Sequence, residues 1–215
     1  MTVELYCGDC LDVLAQLDSE SIDAVITDPP YGIDFDRATW EDSPETYADF
    51  MRIVISESNR LATGIKAFWQ ALPNAPIWHK WFPSDFRIFA ACKGFVQFRP
   101  TPIQWSWDPI IWWGNIDKQP SVYAKDWFVQ RKAPFGANRE KIDHPSPRPL
   151  ETVIYVIELF TNQGDTVLDP FVGSGTTGIA CIKTGRNFIG IEKIPEYYEL
   201  AQRRIKEAQM QPRLL

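Results

Sequence analysis

Two consecutive prolines, Pro29 and Pro30, close the hydrophobic run Asp23-Ala24-Val25-Ile26-Thr27 and dictate how the chain leaves it. Val25 and Ile26 are β-branched, which favours a short buried strand. Proline has no N–H and a fixed φ, so neither a sheet ladder nor a helix can run directly through the pair. Asp28-Pro29-Pro30-Tyr31 therefore leaves the strand stiff and extended. It sets a carboxylate, a proline carbonyl and an aromatic ring at the strand's carboxyl end, the edge at which open α/β sheets bind ligands. An ordinary Pro-Pro loop is the competing reading of the tetrapeptide alone.

A second feature lies far along the chain. Thr166-Val167-Leu168-Asp169-Pro170-Phe171-Val172-Gly173-Ser174-Gly175-Thr176-Thr177 reads as a strand, a glycine-rich turn and a helix start. Gly173 and Gly175 remove side chains where a ligand must approach the backbone. Ser174 and Thr176 are expected to cap the helix that follows, Gly178-Ile179-Ala180-Cys181-Ile182. The turn lacks the full G-x-G-x-x-G dinucleotide pattern and the lysine of a triphosphate loop. Roughly twenty residues on, a further strand ends at Glu192, where an acidic group can bind the ribose hydroxyls of an adenosine-containing cofactor. Alone, Glu192 would read as a solvated carboxylate ahead of a helix.

The hydrophobic pattern alternates along the chain. Strands are expected at residues 3–6, 65–70, 87–91 and 110–113, beside those ending at Asp28, Asp169 and Glu192. Helices are expected at 11–17, 44–61, 75–82, 150–160 and 195–209, the second with Pro44 in its first turn. Met51, Val54, Ile55 and Ser58 recur at helical spacing and form its expected buried face. This order predicts an α/β fold, a doubly wound and mostly parallel sheet of the Rossmann-like type. The 215 residues suffice for one domain over residues 1–215 with one small insertion, placed at about 114–143.

Composition narrows the setting. No apolar run is long enough to span a membrane and no signal peptide is evident, so a cytoplasmic protein without a membrane partner is expected. Cys7 and Cys10 form a C-x-x-C without a second pair, and His79 and His144 do not make a metal pair, so no metal site is expected. The net charge of -6 is unevenly spread. Acidic residues crowd the segment before Leu61, whereas residues 61–150 are net positive, with Lys118, Lys125, Arg131, Lys132, Arg139, Lys141 and Arg148 close together. A basic segment on an acidic body suits contact with phosphates; a solvated loop is the competing reading.

Taken together, these residues resemble the S-adenosylmethionine-dependent amino-methyltransferases of nucleic-acid bases. The order resembles the circularly permuted, β-type group, in which Asp-Pro-Pro-Tyr precedes the Asp-Pro-Phe-x-Gly-Ser-Gly-Thr motif. Gly8-Asp9-Cys10 is similar to the family's N-terminal cofactor segment. His144-Pro145-Ser146-Pro147-Arg148-Pro149-Leu150 resembles a His-Pro-x-x-Lys-Pro-Leu segment, with Arg148 standing where the family usually has lysine. Residues 32–143 are mostly unmatched. The resemblance implies S-adenosylmethionine as cofactor, bound by Asp9, Cys10, Asp28, Arg148, Asp169, Phe171, Gly173, Ser174, Gly175, Thr176 and Glu192. Arg148 would face the cofactor carboxylate, with a geometry that lysine does not share.

The same resemblance implies a catalytic group of Asp28, Pro29, Pro30 and Tyr31. An exocyclic amine is a poor nucleophile because its lone pair is delocalised into the ring. Acceptors for its two hydrogens favour the localised, tetrahedral nitrogen of the transition state. Asp28 would supply one acceptor and the Pro29 carbonyl the other, with Tyr31 stacked on a base flipped out of double-stranded DNA. Carbon-5 methylation would need a thiolate, usually within Pro-Cys; none of Cys7, Cys10, Cys92 or Cys181 follows a proline. The expected activity is site-specific methylation of adenine N6 in DNA, since the motif begins with Asp rather than Ser, in the manner of restriction-modification enzymes. Cytosine N4, RNA or a protein amide are alternative targets, and a DNA-binding module without turnover is a further one. Ile110-Ile111-Trp112-Trp113 is expected in the core, and residues 123–138 are expected to contact substrate, with Lys125, Arg131, Lys132, Arg139 and Lys141 on phosphates. Monomer and homodimer are both compatible with the sequence.

Overall fold

The computed structural model describes residues 1–32, 44–94, 106–116, 124–130 and 147–211, with side chains of the second segment described from Tyr47. Its centre is an eight-stranded sheet: β1 (Val3–Cys7), β2 (Ala24–Thr27), β3 (Lys66–Trp69), β4 (Arg87–Cys92), β5 (Trp107–Trp113), β6 (Trp127–Val129), β7 (Thr166–Asp169) and β8 (Asn187–Glu192). The spatial order is β1-β8-β7-β2-β3-β5-β4-β6. Among these strands only β5 runs against the others, pairing antiparallel with both β3 and β4. The carboxyl ends of β1, β8, β7, β2 and β3 consequently gather at one edge.

Helices cover both faces, as the doubly wound pattern requires. On one face lie α1 (Cys10–Leu14) and α2 (Pro44–Leu61), with a 3-10 helix, Leu72–Lys80. They enclose a core with Leu14, Val25, Met51, Phe68, Ile111, Leu168 and Ile191. On the other lie α3 (Leu150–Phe160), α4 (Thr176–Thr184) and α5 (Pro195–Met210), packed over Ile26, Ala67, Phe89, Ile110, Val167 and Phe188. Alternate residues of β2 therefore enter opposite cores, and the strand is buried on both sides. Arg186 fastens this second layer: its buried guanidinium donates to Thr161 O at 2.6 Å, Thr161 Oγ1 at 3.0 Å and Thr184 O at 2.5 Å.

The expected face of α2 is correct: Met51, Val54, Ile55 and Ser58 are all buried. Ser58 is tolerated there because its hydroxyl donates to Val54 O at 2.7 Å. Ile110, Ile111 and Trp113 are buried as expected, with Trp112 half-buried.

The helix expected at 75–82 is present as the 3-10 helix Leu72–Lys80, since Pro76 lies inside it and removes an N–H. Two expectations need correction. Neither Ser174 nor Thr176 caps α4; its N-cap is Gly175 at φ 81°, and the two hydroxyls instead lie 3.0 Å from each other. The loop read at 123–138 contributes a sheet strand, β6, which pairs parallel with β4 through Ala90↔Trp127 to Cys92↔Val129. Of the segment 114–143, the described residues are 114–116 and 124–130.

Candidate active site

The residues singled out from the sequence fall into two adjoining groups on the carboxyl edge of the sheet. The first surrounds the glycine turn after β7. Gly173 and Gly175 have φ of 51° and 81°, a backbone that side-chain-bearing residues adopt at a cost. A Cβ on Gly175 would also stand 3.0 Å from the Ala201 Cα, so the turn lies close against α5. Arg204 of α5 donates to the Ser174 carbonyl and fastens the turn from outside.

Glu192, at the end of β8, meets this turn. Its Oε2 accepts from Gly173 N at 2.8 Å and its Oε1 from Ile194 N at 2.9 Å. Burial raises the pKa of Glu192, and these amide donors oppose the rise. The end of β1 joins through Gly8 N, which donates to Glu192 O at 2.9 Å. Asp9 caps α1 through Leu11 N at 3.0 Å and pairs with Lys193 Nζ at 2.9 Å. Cys10 is buried, and burial followed by the Asp9 charge pushes its thiol up to about 12. That thiol is protonated at neutral pH and cannot serve as a nucleophile.

Asp169 links the groups. Its Oδ1 accepts from Thr27 Oγ1 at 2.6 Å and Phe171 N at 3.0 Å. The Phe171 ring meets Phe50 of α2 edge-on, with centroids 5.8 Å apart.

The second group is built on the proline-stiffened exit from β2. Arg148, just before α3, holds Asp28 bidentately: Nε to Oδ2 at 2.5 Å and Nη2 to Oδ1 at 2.7 Å. The Tyr31 hydroxyl donates to Asp28 Oδ1 and accepts from Arg148 Nη2. Burial, aided by Asp28 and Asp108, holds the Tyr31 pKa well above its ordinary value although Arg148 opposes it, so the phenol remains a donor. Burial also works against the charge of Arg148, but Asp28, Tyr31 and Asp108 outweigh it and raise its pKa. The guanidinium lies 5.9 Å from the ring centres of both Tyr31 and Trp69.

Two residues here, Asp108 and Asn74, carry no sequence signal, and a third, Trp69, carries only its place in a strand. Asp108 of β5 accepts from Arg148 Nη1 at 3.1 Å and pairs with Lys93 Nζ at 2.8 Å. Asn74 donates to the Tyr31 carbonyl at 2.7 Å and fixes the backbone after the prolines. Trp69 could have been found only as the end of a strand neighbouring β2. Of the expected phosphate contacts, Lys125 is exposed, its Nζ 4.4 Å over the Trp127 ring. Arg131, Lys132, Arg139 and Lys141 lie outside the described residues, as does His144. Among the described residues, no group of three His, Cys, Asp or Glu could hold a metal ion, and no helix is long and apolar enough to cross a membrane.

Residues 99–203 match the N6/N4 methyltransferase family, described as DNA methylase. The chain belongs to this amino-methyltransferase family. The DNA methyltransferase is 26% identical to the DNA adenine methyltransferase YhdJ of Escherichia coli (strain K12), over 94% of this chain and 82% of the relative. The Thermus thermophilus protein TTHA0409, complexed with S-adenosyl-L-methionine, is 26% identical, with a TM-score of 0.68 over 97% of this chain and 95% of that one. PvuII DNA methyltransferase, which is cytosine-N4-specific, shares the fold at a TM-score of 0.74 and 18% identity, over 97% and 92% of the two chains. The family match covers the glycine turn and Glu192 of this methyltransferase; Asp28 to Tyr31 lie before it.

Proposed function

We propose that this DNA methyltransferase transfers a methyl group from S-adenosylmethionine to the N6 amine of adenine, on a base flipped out of double-stranded DNA into the Asp28–Tyr31 corner. The cofactor reading rests on the fit between the glycine turn and its carboxylate. Glu192 is 9% exposed and anchored to Gly173 N, which leaves a fixed acidic acceptor beside a side-chain-free turn. Such a pair suits a ribose diol next to a closely approached adenosine. When bound, the cofactor supplies an electrophilic methyl group on sulfur. Gly173, Ser174, Gly175, Thr176, Phe171, Asp169, Asp9 and Cys10 line or support that side of the edge.

The observation that carries the amine reading is the position of Asp28. Its carboxylate stands at the end of β2, next to Asp169 of β7 across the Thr27–Asp169 bond, so acceptor and cofactor side are neighbours. Asp28 and the Pro29 carbonyl accept the two amine hydrogens, and the localised lone pair then points at the methyl group. Tyr31, its backbone held by Asn74, presents a ring on which the base stacks. Adenine is favoured over cytosine because the motif opens with Asp. The order of the motifs, Asp28 before Asp169, suits a circularly permuted arrangement. The residues around 114–143 act as the target-reading segment, with Lys125, Arg131, Lys132, Arg139 and Lys141 on the phosphates.

The test is incubation with cofactor labelled on the methyl group and, separately, DNA, RNA and protein, followed by digestion of the product. The expected result is label in N6-methyladenine from DNA, lost in Asp28→Ala. Label in N4-methylcytosine would overturn the adenine assignment, and label only in RNA or protein would overturn the DNA reading of the site.

A further inference from the structure

Both oxygens of Asp28 already carry protein donors. Oδ1 accepts from Arg148 Nη2 and the Tyr31 hydroxyl, and Oδ2 accepts from Arg148 Nε. The guanidinium fork spans both carboxylate oxygens along one edge, and an arriving amine is another N–H donor seeking lone pairs of the same group. These three donors leave only the outer site of Oδ2 open, so an amine that is to take the strong in-plane acceptor positions competes with the guanidinium for Asp28. Pulling a cation off a half-buried carboxylate is costly if the cation is left without a partner.

Asp108 is placed to prevent that loss. It stands on β5, opposite Ala91 of β4, with its side chain on the same sheet face as Trp69 and Ile110. Lys93 Nζ holds its Oδ1 at 2.8 Å, and its Oδ2 already accepts from Arg148 Nη1 at 3.1 Å. Arg148 therefore bridges two carboxylates, and a short swing of the guanidinium would move it from one to the other. A planar fork can hold one carboxylate bidentately while a further N–H reaches the second, a fixed geometry that the compact charge of an ammonium does not provide. The four groups Asp28, Arg148, Asp108 and Lys93 carry equal numbers of opposite charges before and after such a swing.

We propose that Asp108 is a positioning residue for methyl transfer, the station that takes over Arg148 when the target amine displaces it from Asp28. The assignment rests on Asp28 being the amine acceptor. Asp108 then acts through Arg148 and touches neither base nor cofactor.

The test is a double-mutant cycle on the whole protein. Single-turnover methyl transfer to DNA is measured for the native enzyme, Asp108→Asn, Arg148→Lys and the pair, with cofactor affinity by calorimetry and thermal melting alongside. Asp108→Asn is expected to slow transfer by about tenfold or more in the native background and by less than about threefold beside Arg148→Lys, since no bidentate clamp remains there to be drawn off Asp28. Equal slowing in both backgrounds, tracking a loss of melting temperature, would overturn the proposal and leave Asp108 a structural ion-pair member. Should Asp108→Asn fold poorly, a structure of the native protein with a non-reactive cofactor analogue and target DNA decides: Arg148 on Asp108 supports the exchange, and Arg148 still bidentate on Asp28 overturns it. Undiminished transfer in Asp28→Ala would instead remove the amine-acceptor reading itself.

Discussion

Thr27 and Asp169, 142 positions apart in sequence, end two adjacent parallel strands and share a buried hydrogen bond of 2.6 Å from hydroxyl to carboxylate. The bond ties the strand that leads into the prolines to the strand that leads into the glycine turn. It also leaves a carboxyl group 2% exposed. Burial pushes Asp169 up to about 6, and the Thr27 hydroxyl and Phe171 amide pull it back only in part. A carboxyl raised in the folded state binds its proton more tightly than in the unfolded chain. Its contribution to stability is complete below the unfolded value of about 3.9 and is lost as pH rises through the folded one. Asp169→Asn should lack this dependence. Urea unfolding across about pH 4 to 7 should show the variant gaining on the native protein, by on the order of 2 kcal/mol. A constant difference between the two would mean that Asp169 does not titrate in this window.

Glu192 makes separable contributions to the turn and to the ligand. Its two oxygens satisfy the Gly173 and Ile194 amides, so complete removal orphans two buried donors. Glu192→Gln keeps one acceptor and loses the charge. We expect Glu192→Gln to weaken cofactor binding by about tenfold with a small change in melting temperature, and Glu192→Ala to add a loss of roughly 1–3 kcal/mol in stability. Calorimetry and thermal melting separate the two effects. Unchanged affinity in both variants would remove Glu192 from the ribose.

The features legible in the sequence were those whose cause is local. Two prolines stop β2 wherever it lies, and the spacing of Met51, Val54 and Ile55 declares a buried helix face without reference to any partner. The features that were not legible are made by distant neighbours. β6 is three residues long and exists because β4 offers it a free edge. Asp108 belongs to no motif; the antiparallel turn of β5 against β3 and β4 brings it to Arg148, 40 positions away. Gly175 at the start of α4 takes the capping place expected of Ser174 or Thr176 because the turn passes so close to Ala201. Arg148 was legible as a cation in a motif, while its grip on Asp28, 120 positions away, was not.

Gly190 faces Asp169 across β7 and β8, and the space above it is already filled. A Cβ there would stand 2.5 Å from Val172 Cγ2, 2.7 Å from Phe188 Cε1 and 2.9 Å from Leu5 Cδ2. These atoms come from three segments that converge under the glycine turn, so relief requires several of them to move together. Gly190→Ala should destabilise the protein by about 1–3 kcal/mol and lower the melting temperature by roughly 3–10 °C. Because Val172 leads directly into Gly173, cofactor affinity should fall with it. A variant that melts like the native protein would show that this packing yields more easily than its distances indicate.

Phosphate contact is an electrostatic claim, and salt is its measure. Each phosphate neutralised by a lysine or arginine releases condensed counterions, so the logarithm of the affinity falls linearly with the logarithm of salt concentration, with a slope proportional to the number of phosphates neutralised. Arg131, Lys132 and Arg139 stand in a net-positive stretch of a chain whose overall charge is -6, so non-specific attraction by the whole protein is a poor substitute for them. Replacing all three with glutamine should weaken DNA binding and flatten the plot of log affinity against log salt by about 0.9 for each phosphate no longer neutralised. Cofactor affinity should be unchanged, since none of the three belongs to the glycine-turn group. An unaltered slope with weaker binding would place these residues on something other than phosphates, and an unaltered slope with unaltered binding would make the segment a solvated surface.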